Sequence, residues 1–134
     1  MPVDWSVDEE RHCLQARFFG ALTWQDITDF QTNVSLSAPY LGYHGLLVID
    51  RTTRFPEGSA TDPVQLIAHR AATYNSVTRT SRLAIVTETE TAFGIVRMFM
   101  AFFALAGGAR PIGLFRSEPP AYDWLFHPQD GDDA

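Results

Sequence analysis

Apolar and polar residues alternate at the start of the chain. "VDWSV" (Val3–Val7) places apolar side chains at every second position, and "RHCLQARFFG" (Arg11–Gly20) alternates again through Cys13, Gln15 and Arg17. A period of two marks strands. "DEE" (Asp8–Glu10) turns the chain between them, so the two read as an antiparallel pair. The period then lengthens. Trp24, Ile27, Phe30 and Val34 lie at helical spacing, and Thr23 with Asp26 three residues on forms a capping box. "GLLVID" (Gly45–Asp50) and "RLAIVT" (Arg82–Thr87) are short apolar runs of the kind a buried parallel strand shows. Between them Asp62 reads as the cap of a helix with Pro63 at its first position, running to about Tyr74. Thr87 and Glu90 form a T-x-x-E box at the head of a third helix, which Gly107 and Gly108 close. A strand, "IGLFR" (Ile112–Arg116), and a helix capped by Ser117 with prolines in its first turn follow.

The order β-β-α-β-α-β-α-β-α predicts an α/β fold with a mixed, mostly parallel sheet flanked by helices on both faces and joined by right-handed crossovers. A chain of 134 residues fits a single domain, expected over 1–126, with "HPQDGDDA" (127–134) as an acidic flexible tail. The formal net charge is −6, and three of the negatives lie in that tail. No basic stripe is present, which argues against nucleic acid as a partner. One cysteine excludes an internal disulfide framework and fits a reducing, cytoplasmic compartment.

The third helix is apolar on every side. From Ala92 to Ala106 the charged residue is Arg97 alone. Fifteen helical residues rise about 22 Å, short of the ~30 Å hydrocarbon core, so no membrane span is expected. Phe93, Val96, Met100, Phe103 and Ala104 share one face; Ile95, Phe99, Phe102 and Ala106 share another. A sheet covers one face. The other needs a second cover. That cover is a twin in a homodimer, neighbouring helices and the tail of the same chain, or a ligand in a pocket that this helix walls. Ile95, Met98, Phe99 and Phe102 are the candidate interface or pocket residues.

"GALTWQDITDF", "LLVID", "RLAIVTETETAFGIVRMF" and "IGLFRSEPPAYDWL" resemble the SpoIIAA-like family, over about Val3 to Phe126. The resemblance implies the fold of STAS domains, the anti-sigma-factor antagonists, and an architecture related to lipid-carrying CRAL-TRIO domains. The Asp-Ser-Ser-Gly-like stretch expected of antagonists is replaced here by "RTTRFPEGSATDP".

Ligands of open α/β sheets sit at the carboxyl ends of the strands. Arg51, Arg54, Arg116 and Glu88 fall there and are candidates for holding an anion, the alternative being ion pairing among themselves, Asp50 and Glu90. Ser59 and Thr61 are candidate phosphosites beside the Pro63 helix, the alternative being capping. The four histidines have no partner at metal spacing, no nucleotide or nucleophile-elbow motif occurs, and neither a metal nor a cofactor is expected. An Asp50–Glu88 pair offers an acid and a base with no motif to support it. The expectation is a non-catalytic STAS-like interaction or regulatory module, not an enzyme, that homodimerises through the apolar 88–107 helix. The alternative is a carrier or sensor of a small amphipathic, lipid-like ligand.

Overall fold

The computed structural model describes residues 2–127. Five strands, β1 (Val3–Asp8), β2 (Cys13–Phe18), β3 (His44–Ile49), β4 (Leu83–Thr87) and β5 (Ile112–Phe115), form one sheet in sequential order. β1 runs antiparallel to β2, and β2 to β5 are parallel. The helices are α1 (Trp24–Phe30), α2 (Thr61–Ala72), a single turn α3 (Asn75–Thr78), α4 (Glu90–Leu105) and α5 (Glu118–Phe126). The mixed α/β class read from the alternation is therefore present, with α3 as an added turn.

Sequential strand order decides where the helices go. Crossovers of one hand that always step in the same direction return on the same face. α1, α2 and α4 accordingly gather on one face, where Phe18, Ile49, Ile85, Ala92 and Val96 form a core. α5 covers the other face against Leu46, Val48, Ala84 and Val86. The acidic tail expected over 127–134 lies, from Pro128 onward, outside the described residues.

Local chemistry sets the element ends, with three corrections. The Thr23–Asp26 capping box forms in both directions, at 3.0 and 2.9 Å. The α-helix that follows stops at Phe30, though, and continues as a π turn over Gln31–Ser35 rather than as regular helix to Val34. α2 is not capped by Asp62: it begins at Thr61 after Ala60, and Ser59 Oγ accepts the Thr61 N–H at 3.2 Å. Pro63 fits all the same, because the first-turn amides of a helix need no intrahelical acceptor. α4 is capped by Thr89, whose hydroxyl accepts the Ala92 N–H at 3.1 Å. Thr87 is held in β4 opposite Ile49 and cannot serve. Gly107, at φ +86, ends α4 as expected, with Gly108 N–H bonded to the Phe103 carbonyl at 2.7 Å.

Candidate functional site

Residues on the two faces of β3 differ in a telling way. Leu46 and Val48 look toward α5 and are each 4% exposed. Leu47 sits between them on the central strand, looks the other way, and is only half-buried. What it faces is a cavity of about 170 Å³. The floor is the sheet, with Ala16, Leu47 and Ile85. The roof is α2, with Val64, Ile67 and Ala71, and the side walls are α1 and α4. Ile27 and Phe30 of α1 and Ile95 and Phe99 of α4 are half-buried for the same reason as Leu47. α2 packs against α4, leaving the cavity between itself and the sheet. The turn after α1 is tied to that roof: buried Gln31 donates from Nε2 to the Ile67 carbonyl at 2.9 Å.

The two ends of the cavity are chemically different. At the carboxyl end of the strands Trp24 and Phe55 form a tilted ring pair at 5.7 Å. At the amino end the wall holds Tyr40, Tyr43, His44 and Arg110. Arg110 Nη2 donates to the Tyr43 carbonyl at 2.8 Å, while its buried Nε has no acceptor. No carboxylate among the described residues pairs with it. Burial pushes its pKa down to about 10, so it remains charged at pH 7. His44 Nδ1 accepts the Arg82 N–H at 2.9 Å. Burial, followed by the charges of Arg110 and Arg82, holds the imidazole below its usual pKa and therefore neutral at pH 7. The cavity is otherwise apolar, with Gln31 its principal polar side chain away from this end.

No family model, curated protein or solved structure matches the chain.

The carboxyl-edge residues have other occupations. The Arg116 guanidinium pairs with Glu90 and lies 3.9 Å over the Phe93 ring. Glu88 Oε1 accepts the Arg51 backbone N–H at 2.9 Å. Arg54 is bound through its backbone, to Gly20 and Leu22 at 2.7 and 2.9 Å, with its residue exposed. Asp50 is held by Thr52, through hydroxyl and amide, and by Arg17 at 3.3 Å. Burial pulls the Asp50 pKa up, but the Thr52 and Arg17 contacts outweigh it and leave the carboxyl below its ordinary value. Asp50 and Glu88 thus have separate partners. Ser59 and Thr61 are exposed; Ser59 Oγ accepts the Thr61 N–H at 3.2 Å, and the Thr61 hydroxyl lies 4.0 Å from Met98 Sδ.

Of the apolar candidates on α4, Ile95 and Phe99 line the cavity. Phe102 packs with Ala68, Ala72 and Phe103 between α2 and α4. All four, Met98 included, are half-buried within the one chain. The side of α4 turned outward carries Gly94, Arg97, Ala101, Ala104 and Leu105, the last 83% exposed. No helix among the described residues is long and apolar enough to cross a membrane. Sequence reasoning missed Gln31 and Arg110. The first looked like an ordinary polar helix residue. The second stood between two glycines and a proline in what read as a loop.

Proposed function

We propose that the protein is a carrier or sensor of a small apolar or amphipathic ligand, bound between α2 and the sheet. The observation that carries this reading is the cavity of about 170 Å³. Its lining side chains, among them Ile27, Phe30, Leu47, Ile95 and Phe99, stay part-exposed, and apolar surface left to water forgoes roughly 25 cal/mol per Å² of burial. Whole domains are stable by only about 5–15 kcal/mol. An apolar occupant that covers this lining would add to that margin, which is the physical reason for a chain to keep such a space. A dry cavity of about 150 Å³ lined by Leu, Ile and Phe takes up benzene, so the scale suits a compact apolar body. α4 fits this role, since Ala92 and Val96 pack on the sheet, Phe102 and Phe103 pack against α2, and Ile95 and Phe99 line the cavity.

The SpoIIAA-like reading of the architecture belongs to the same proposal. Its support is the element order and the motifs from Val3 to Phe126, and the related lipid-carrying architecture is compatible with an occupied cavity. The STAS-like module that homodimerises through the 88–107 helix has weaker support, because α2 already covers Phe99 and Phe102. A twin would use the Leu105 stripe instead.

Calorimetric titration with a neutral probe, octan-1-ol, tests the reading. Wild type should bind it. Ala71→Leu, which fills the space below α2, should remove binding while the circular dichroism spectrum stays unchanged. Absence of any uptake by the wild type would overturn the proposal.

A further inference from the structure

We infer that the ligand of this cavity is an apolar monocarboxylic acid whose carboxylate is received by Arg110. The inference rests on the reading of the cavity as a binding site and adds the chemistry of the ligand's head. Three observations carry it. Arg110 lines the cavity at its amino end, beside Tyr43 and His44. Its guanidinium has a single hydrogen bond to the described residues, to the Tyr43 carbonyl, and its Nε is buried without an acceptor. No carboxylate among the described residues neutralises it.

A buried cation is tolerated when it is paired and its donors are satisfied. Among the described residues Arg11, Arg17 and Arg116 pair with carboxylates from exposed or part-exposed positions, where water also solvates the charge. Arg110 is the arginine that lines the apolar cavity, and it has no carboxylate partner among the described residues. A carboxylate fits the guanidinium in charge and in planar geometry. One charge is the right number: a phosphate dianion would bring a second negative charge into an apolar space with no second cation, since neutral His44 cannot balance it. The cavity's lining follows β3 from His44 at the amino end to Ile49 at the carboxyl end. An acid whose head meets Arg110 therefore extends its apolar body between Leu47, Ile67 and Phe99 toward the Trp24–Phe55 end.

The test compares octanoate, octan-1-ol and octylammonium by calorimetry on wild type and on Arg110→Met. Octanoate should bind wild type at least about tenfold more tightly than octanol, the size of a charge-assisted hydrogen bond, and octylammonium should be rejected. Arg110→Met should erase the preference for octanoate while octanol binding persists. Equal affinity for octanoate and octanol in the wild type overturns the inference and leaves the cavity reading standing. A preference that survives in Arg110→Met overturns the assignment to this residue. Failure of all three probes removes the cavity reading, and this inference with it. Should Arg110→Met not fold, the wild-type comparison decides, and Arg110→Lys, which keeps the charge but not the fork, should retain part of the preference.

Discussion

Gln31 Nε2 donates to the Ile67 carbonyl at 2.9 Å and so ties the π turn after α1 to the middle of α2. The same amide accepts at Oε1 from Arg70 Nη1 at 3.5 Å. Gln31 is 7% exposed, so the bond is made away from bulk water. A π turn inserts one extra residue into the helical path, and here that residue's neighbourhood places an amide where the cavity roof needs a tether.

Gln31→Leu keeps the side chain's bulk and removes the tether. The Ile67 carbonyl, which lies mid-helix in α2, then loses its bond to Gln31, a loss of about 0.5–1.5 kcal/mol. Urea denaturation should show this as a lower midpoint with an unchanged slope. A change under about 0.5 kcal/mol would mean that α2 is held by its packing on α4 alone.

The Gly107–Gly108 pair makes a second, sharper prediction. A Cβ on Gly108 would fall within the ring of Phe103, which is 5% exposed and anchors α4 against α2. The ring would have to shift against Ala68 and Ala72, so Gly108→Ala should destabilise by about 1–3 kcal/mol. Gly107→Ala meets no atom, but its φ of +86 disfavours a side chain, and the cost should be about 1 kcal/mol. Equal effects of the two substitutions would contradict this ordering, which thermal melts can establish.

The architecture was legible where local chemistry and periodicity agree. Alternation in β1 and β2, apolar runs in β3 and β4, the Thr23–Asp26 box and the closing glycines are all short-range signals. Thr87 and Thr89 are two copies of one signal, and choosing between them needs the strand pairing that commits Thr87 to β4. The cavity was legible only in outline. Ile95 and Phe99 stood out because α4 had more apolar surface than one sheet face can hide. That α2 roofs the space follows from sequential strand order, a property of pairing between distant segments. Arg110 was invisible for the same reason: its bond to Tyr43 joins residues 67 apart in the chain.

His44 makes stability pH-dependent in a stated direction. Its folded pKa lies below the ordinary 6.5, chiefly through burial and then through Arg110 and Arg82. The unfolded chain therefore takes up the proton first as pH falls. The stabilising contribution is full above about 6.5 and is lost as pH drops through the lower folded value. His44→Asn does not titrate and retains an oxygen to accept the Arg82 N–H. Wild-type stability should fall relative to His44→Asn between pH 6.5 and 4.5, with Asp50 common to both. Parallel curves would show that His44 does not titrate in this way.

Cys13 should behave in the opposite sense, at the alkaline end. It is 0% exposed, and burial, followed by the charge of Asp8, raises the thiol to about 11 from an ordinary 9.0. The folded state thus holds the proton longer than the unfolded chain. Its contribution is complete below about pH 9 and is lost as pH rises through 11. Wild type should lose stability relative to Cys13→Ala between pH 8.5 and 10.5, measured with reductant present. Reaction with a disulfide reagent at pH 8 should be slow in the folded protein and rapid in urea. Fast labelling without denaturant would place the thiol at the surface.

Phe102 separates cover by the chain's own α2 from cover by a second copy. Its ring packs with Ala68 and Ala72 of α2 and with Phe103. Phe102→Glu puts a carboxylate among these groups and deletes their apolar contact, which should lower stability by about 2–4 kcal/mol. Leu105 is 83% exposed at the end of the same helix, so Leu105→Glu should stay within about 0.5 kcal/mol of wild type. If Phe102 were instead the heart of a homodimer, Phe102→Glu would give a folded monomer with half the mass by light scattering. The expected result is a lower melting temperature with no change in mass. A halved mass with an unaltered melt at dilute concentration would shift the cover of α4 from α2 to a twin, and with it the case for a ligand in the space beneath.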